Sequence, residues 1–220
     1  MNVSHRLVIF IALFITCLIT ANVIAVKVSL GPFVLPAAIF VFPLSYIFGD
    51  VLTEVYGYRL ARRVIWLGFL CNLIFVFFVW LGQVLPAASF WEGQEAYQRI
   101  LGYTPRLLAA SFLGYLVGEF ANSFILARMK IMTQGRWLWS RTIGSTIIGQ
   151  GFDTSIFITV AFIGTASFVP IMILYHWLAK TLIEALATPL TYALVNRVKR
   201  KEAIDTYDYD TRFNPFLMAN

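Results

Sequence analysis

The sequence predicts an all-α integral membrane protein with six transmembrane helices, and three observations carry that prediction. Hydrophobic residues make up 60% of the 220 positions and charged residues 13%, against roughly 45–50% and about 25% in soluble domains. The mean hydropathy is +0.77. Apolar runs then fill most of the chain at 6–28, 33–56, 62–85, 105–127, 141–166 and 170–196, each near the ~20 residues that cross about 30 Å of hydrocarbon.

The first span, Leu7 to Val26, is too long for a signal-peptide core and lacks a small-residue cleavage site, so it is expected to stay. The second ends in FPLSYIFGDVLTEVYGYRLARRV (42–64), where Pro43 precedes Asp50 by one to two turns and is expected to kink the helix. The third contains VIWLGFLCNLIFVFFVWL, whose lack of alternation excludes the strand of a membrane barrel. Backbone groups in lipid must be satisfied within the segment, so these runs are helices. PAASFWEGQEAYQRILGYTP (86–105) is the one sizeable external loop, with Trp91, Tyr97 and Tyr103 suited to the membrane interface. The fourth span carries Ser111, Gly114, Gly118 and Asn122 as a small-residue seam beside Glu119, a pattern that lets helices approach closely. On the fifth, Ser145, Gly149 and Asp153 share a face, with Thr146 and Gln150 beside them. On the sixth, His176, Lys180, Glu184 and Thr188 recur every four residues, and Pro189 is a second candidate kink. Residues 1–198 form one transmembrane domain. Residues 199–220, with EAIDTYDYD, read as a polar, solvated cytoplasmic tail.

The net charge of +6 would suggest nucleic acid in a soluble protein. Its distribution excludes that reading. With six spans, Arg6, Arg59, Arg62, Arg63, Arg128, Lys130, Arg136, Arg141, Arg197, Lys199, Arg200, Lys201 and Arg212 share one side. Lys27, Arg99 and Arg106 lie on the other, and Lys180 is within a span. Thirteen bases against three place both termini in the cytoplasm. No phosphate-binding glycine loop or zinc spacing occurs, so neither an ATP-hydrolysing engine, a cofactor nor a metal is expected. Cys17 and Cys71 lie in apolar runs and read as core packing.

The informative residues are the ionisable ones inside the spans: Asp50, Glu54, Glu119, Asp153, Lys180 and Glu184. Each costs about 2.5–3.5 kcal/mol at mid-bilayer, against a gain of roughly 0.3–0.6 kcal/mol per large apolar residue. They must therefore face one another or water. A rise of 1.5 Å per residue puts Asp50, Glu119, Asp153 and Glu184 about 13–20 Å from the cytoplasmic arginines, near one level. Lys180 can neutralise one acid, either Glu184 or Asp153. The remaining acids call for a ligand that offers donors or positive charge. Glu54, about 8 Å from Arg59, has two open readings: an interfacial partner of Arg59 or Arg62, or a member of the site. His176 is equally open between a solvated role and a proton relay. Gly49-Asp50 and Gly151-Phe152-Asp153 occupy corresponding places in two three-helix halves, which three spans each would make inverted, as in many secondary transporters.

The chain resembles the queuosine precursor transporter family, also called the vitamin uptake transporters. The resemblance is carried by FPLSYIFGDVLTEVYGYRLARRVI (42–65), AASFLGYLVGEFANSFILARMK (109–130), STIIGQGFDTSIFITVAFIG (145–164) and HWLAKTLIEALATPLTYALVNRVKR (176–200). It implies uptake of the cyano and aminomethyl 7-deazaguanine precursors across the cytoplasmic membrane. By position it implies substrate-binding roles for Asp50, Glu119, Asn122, Gln150, Asp153 and Lys180. Glu184 joins them from its depth and helix face. The chemistry agrees: carboxylates accept the ring and amino N–H groups of a guanine-like face, amides read neighbouring groups, and Lys180 donates to the exocyclic carbonyl. Phe42, Tyr46, Phe48, Tyr115 and Phe152 are candidates for stacking on the base. The expected partners are a small-molecule substrate and the bilayer, with homo-oligomerisation left open. Two alternatives stand beside this: transport of another small solute such as a vitamin, including as the binding subunit of a larger assembly, and an intramembrane enzyme built on paired acids. The enzyme reading lacks a His-rich ligand set, since His5 and His176 are far apart in the chain.

Overall fold

A computed structural model describes residues 4–29, 35–102, 105–165 and 168–217. Among these residues the chain forms seven α-helices: α1 (His5–Ile24), α2 (Phe42–Tyr56), α3 (Tyr58–Val84), α4 (Gln94–Leu101), α5 (Pro105–Met132), α6 (Leu138–Phe162) and α7 (Ile171–Glu202). A two-residue antiparallel pair, β1 (Val28–Ser29) with β2 (Leu35–Pro36), and a 3-10 turn at Ala37–Phe40 lead into α2. Six long helices thus stand where six spans are expected. By length and apolar content five candidate spans qualify, in α1, in α2 with its preceding turn, in α3, in α4 running into α5, and in α7. Helix α6 is 25 residues long but carries Arg141, Gln150, Asp153 and a run of Ser and Thr.

Burial separates the inner helix from the outer ones. In α2 and its turn 72% of the span is buried, against 22% in α3 and in α7. Helix α2 packs on α1, α3, α5 and α7. The outer faces of α3 and α7 present Leu70, Ile74, Phe78, Leu182 and Leu186 outward, as lipid contact requires. Helices α5 and α6 make the closest pair, and the reason is the glycine seam. A Cβ on Gly118 would lie 2.7 Å from the Asp153 Cβ, and one on Gly149 would lie 2.8 Å from the Asn122 Cβ. Between helices in lipid, where apolar burial gives no net drive, this close backbone approach supplies the packing. It also fixes Glu119 and Asn122 of α5 beside Gln150 and Asp153 of α6.

Several expectations change. The second span becomes α-helical only at Phe42; its expected start at Phe33 and Val34 lies outside the described residues, as does Tyr103 of the external loop. Pro43 falls in the first turn of α2 and kinks nothing, because an N-terminal helix position needs no N–H. Pro189 is the helix-interior proline, within α7. Within the external segment α4 folds as a short helix, and the Tyr97 hydroxyl donates to Val79 O at 3.0 Å. Only Gly57 separates α2 from α3. Its φ of +88° favours glycine, and a Cβ there would meet Thr206 at 2.8 Å.

That contact belongs to a second feature: the C-terminal segment is hydrogen-bonded along the bundle, while all its described residues but Asp208 remain exposed or half-exposed. Thr206 N–H donates to Val55 O at 3.1 Å. Arg62 donates to the carbonyls of Arg212 and Asn214 at 3.0 and 2.8 Å, and Trp66 to that of Pro215 at 2.8 Å. Buried Asp208 accepts the Tyr58 N–H at 2.9 Å, across 150 residues of sequence. It therefore caps α3, whose own N-cap residue, Gly57, has no side chain to do so. Partial burial alone would raise the Asp205 carboxyl, but the hydrogen-bonded ammonium groups of Lys130 and Lys199 hold it below the usual carboxylate range. A depressed carboxylate stabilises the fold above its unfolded pKa of about 3.9 and loses that contribution as pH falls through the folded value. This strap therefore holds throughout the neutral range.

Two measurements check the packing account. Gly149→Val is expected to cost about 3 kcal/mol or more through overpacking, seen as lost thermal stability of the purified protein in detergent. Gly151→Ala, whose Cβ would meet nothing nearer than 3.6 Å, is expected to be neutral or slightly stabilising. Asp208→Ala is expected to cost about 1–2 kcal/mol by removing the α3 cap, whereas Asp210→Ala, whose carbonyl alone serves Arg59, leaves the melting temperature unchanged.

Candidate functional site

One face of α2 organises the polar interior. Phe42, Tyr46, Asp50 and Glu54 recur every four residues and so project along a single line. Tyr46, Asp50 and Glu54 are buried. The Asp50 carboxylate accepts from Asn122 Nδ2 at 2.9 Å. Asn122 is held there by the α5–α6 seam described above. The Tyr46 side chain lies within electrostatic range of Asp153, Glu119, Glu184 and Asp50 together. Glu119 interacts in turn with Asp50 and Asp153, and Glu184 with Asp50 and Glu119. The four mid-span acids thus form one mutually interacting layer, as their depths predict.

Each acid in the layer has a different partner. Asp153 pairs with Lys180 at 2.6 Å, and both side chains are partly exposed, at 16% and 13%. Lys180 also stands 4.4 Å above the Phe42 ring, a cation–π contact. Of the two partners open to Lys180 in the sequence, the structure pairs it with Asp153. Glu184 accepts from the Thr146 hydroxyl at 2.7 Å and lies beside Gln150. Glu119 stands against Gly49, where a Cβ would lie 3.6 Å from both of its oxygens. The crevice shared by Glu119, Phe14, Gly49 and Leu52 is too tight to admit a water.

The layer is rich in unused acceptors. Glu119 Oε2, Asn122 Oδ1, Gln150 Oε1 and Glu184 Oε2 are buried and make no hydrogen bond within the protein. Buried polar atoms are nearly always paired, and an orphan there costs about 1–3 kcal/mol. Four such acceptors, on α5, α6 and α7, lie in the layer, and Glu54 Oε2 is a fifth outside it.

Glu54 has partners that neither sequence reading named. It is fully buried, and its Oε1 lies 2.7 Å from Arg141, 2.7 Å from Lys199 and 3.7 Å from Lys130. Arg59 and Arg62 instead bind carbonyls of the C-terminal segment, because the chain turns at Gly57 and carries them off the Glu54 face. Glu54 is therefore not an interfacial acid paired with Arg59 or Arg62; it lies one turn from Asp50, with which it interacts. It ties α2, α5, α6 and α7 together at the basic end of the bundle. Sequence reasoning missed Lys130, Arg141 and Lys199 as interior groups. A signal existed for Arg141, which continues the Ser145, Gly149, Asp153 face by one turn. Thr154 and Thr181, with buried unpaired hydroxyls, were also missed; isolated threonines in a span carry no such signal. His176 is half-buried near the opposite end of α7, away from the acid layer's described hydrogen bonds.

Comparison with known proteins agrees with this architecture. A family model described as "Putative vitamin uptake transporter" matches residues 36–194, which include every residue of the layer. A Bacillus subtilis (strain 168) protein named "Probable queuosine precursor transporter" is 34% identical over 70% of this chain and 68% of its own length. An Escherichia coli (strain K12) protein named "Queuosine precursor transporter" is 25% identical over 72% of this chain and 70% of its own. A Haemophilus influenzae relative named "Probable queuosine precursor transporter" is 26% identical over 62% and 54%. No solved structure matches the chain at a significant level. The chain is a membrane protein that belongs to the vitamin uptake transporter family, a family of transporters and not of enzymes.

Proposed function

We propose that this protein imports a 7-deazaguanine precursor of queuosine across the cytoplasmic membrane, with both termini in the cytoplasm. The substrate would bind in the layer formed by Asp50, Glu119, Asn122, Gln150, Asp153, Lys180 and Glu184. The observation that carries this reading is the set of four buried acceptors without internal donors. A guanine-like face offers a ring N–H and an amino group, the donors those oxygens lack. Two N–H groups side by side can engage one carboxylate in a bidentate pair, which adds geometric selectivity. The names of the relatives support the same substrate class.

The Asp153–Lys180 pair has a particular role in this reading. It is the partly exposed member of an otherwise buried layer, so it is where substrate first meets charge. Lys180 neutralises Asp153 in the closed layer, and its ammonium can turn to the exocyclic carbonyl of the base once substrate donors satisfy the carboxylate. Phe42, already under Lys180, offers a ring face for stacking. At the other end of α2, the Glu54 cluster closes the bundle by tying four helices through one carboxylate. A bicyclic base requires room that the crevice beside Glu119 does not offer, so loading and release require α2 to part from α5 and α7. Alternating access then amounts to opening the Asp153–Lys180 end and the Glu54 end in turn. The thirteen bases that six spans would put on the Glu54 side support a cytoplasmic location for that end.

Uptake of labelled 7-cyano-7-deazaguanine into cells lacking their own transporter tests the reading. Asp50→Asn and Glu119→Gln, each verified at the membrane at wild-type abundance, are expected to lower uptake roughly 10- to 100-fold, the loss of one charge-assisted hydrogen bond. Glu95→Gln, on the exposed face of α4, is expected to transport like the wild type. Unchanged uptake in both layer variants would remove the acid layer as the site.

A further inference from the structure

The exposed face of α7 changes character along its length. Leu178, Leu182, Leu186 and Leu190 are all exposed and recur every four residues, with no helix packed over them. From Leu178 to Leu190 the rise is about 18 Å, close to the ~15 Å of hydrocarbon in one leaflet. Two to three turns beyond Leu190 the same face becomes basic, with Arg197, Arg200 and Lys201 exposed. These three side chains, with Ala193 and Asn196, share one open face of α7.

The neighbouring charges are engaged and these are not. Lys199, on the inner face of the same turn, binds Glu54 and Asp205 at 2.7 and 2.9 Å. Glu202, the nearest acid along the helix, accepts from Tyr56 at 2.8 Å and from Ser4, with Arg6 at 3.9 Å. Among the described residues, the side chains of Arg197, Arg200 and Lys201 make no hydrogen bond or ion pair. Three uncompensated cations therefore share one helix face, beginning about 10 Å beyond the end of an apolar stripe one leaflet long.

We propose that this basic face is a binding site for an anionic phospholipid, with the headgroup phosphate among Arg197, Arg200 and Lys201 and an acyl chain along Leu190, Leu186 and Leu182. A guanidinium fork matches phosphate oxygens in bidentate geometry, and Asn196 adds a neutral donor on the same face. The apolar stripe selects a lipid over a free anion, because it supplies a contact that inorganic phosphate cannot use. Basic pockets at the headgroup level of a bundle suit anionic headgroups for the same electrostatic reason. The site is separate from the acid layer and does not depend on which substrate the layer carries.

The test uses the full-length protein in detergent, titrated with phosphatidylglycerol or phosphatidylcholine, with bound lipid counted by native mass spectrometry. Wild-type protein is expected to retain phosphatidylglycerol in preference to phosphatidylcholine, and added salt is expected to weaken the preference. Removing one cation weakens binding roughly fivefold, so Arg200→Gln loses about that factor. The triple variant Arg197→Gln, Arg200→Gln, Lys201→Gln loses roughly 100-fold. Should the triple variant be poorly folded, the single variant still reads the effect. Equal retention of the two lipids by the wild type would overturn the proposal. So would undiminished phosphatidylglycerol binding in Arg200→Gln, or displacement of the lipid by inorganic phosphate at equal concentration.

Discussion

The cost of an ionised group in hydrocarbon governs this bundle. Each acid or base inside a span must find a partner or a ligand, and α2 is the helix around which those partners are arranged. Its Tyr46, Asp50 and Glu54 are buried on one line, and each meets a different set of charges from α5, α6 and α7. Removing α2 from the centre would expose Glu54 and Asp50 to lipid or leave Arg141 buried without its counter-charge. The order of packing follows. The glycine seam brings α5 and α6 together as one unit, α7 lies against α6 and α2, and the C-terminal segment seals the basic end by capping α3.

Much of this was legible in the sequence, for identifiable reasons. Long apolar runs have one stable backbone solution in lipid, so the helices were readable. The depths of Asp50, Glu119, Asp153 and Glu184 follow from helix rise and an arginine-marked boundary, and the structure brings all four around Tyr46. Gly114 and Gly118 read as packing residues because small side chains every four positions have that physical use; a Cβ on Gly118 would collide with α6 and one on Gly114 would press tightly on Asp153. Lys180 was recognisable as a counter-ion, although spacing alone left Asp153 and Glu184 equally eligible.

What stayed hidden depends on contacts between residues remote in sequence. Arg141, Lys130 and Lys199 looked like topology markers because basic residues near span ends normally face water. Three of them converge on Glu54 only after four helices are assembled. The C-terminal segment looked solvated because its composition is polar, yet most of its hydrogen bonds to the bundle are accepted by its backbone carbonyls, from Tyr58, Arg59, Arg62, Trp66 and Lys130, and composition does not encode backbone partners. Asp208 as the cap of α3 is likewise invisible at a separation of 150 residues. Pro43 misled for a local reason: the same residue bends a helix interior and starts a helix, and only the helix boundary distinguishes the two.

The interior is polar in an unbalanced way. Its basic end gathers Arg141 and Lys199 on one oxygen of Glu54 and leaves the other unpaired, and its middle holds four further acceptors that the chain itself does not satisfy. A structural network would be expected to use them, and a transport site would be expected to leave them for its cargo. Equilibrium binding of 7-aminomethyl-7-deazaguanine to the purified protein separates these two cases most directly. Saturable binding of the 7-deazaguanine, with no measurable binding of 7-deazaadenine, whose hydrogen-bonding face reverses donor and acceptor at the ring nitrogen, is the result predicted here. Equal affinity for the two bases, or no binding of either, would contradict it.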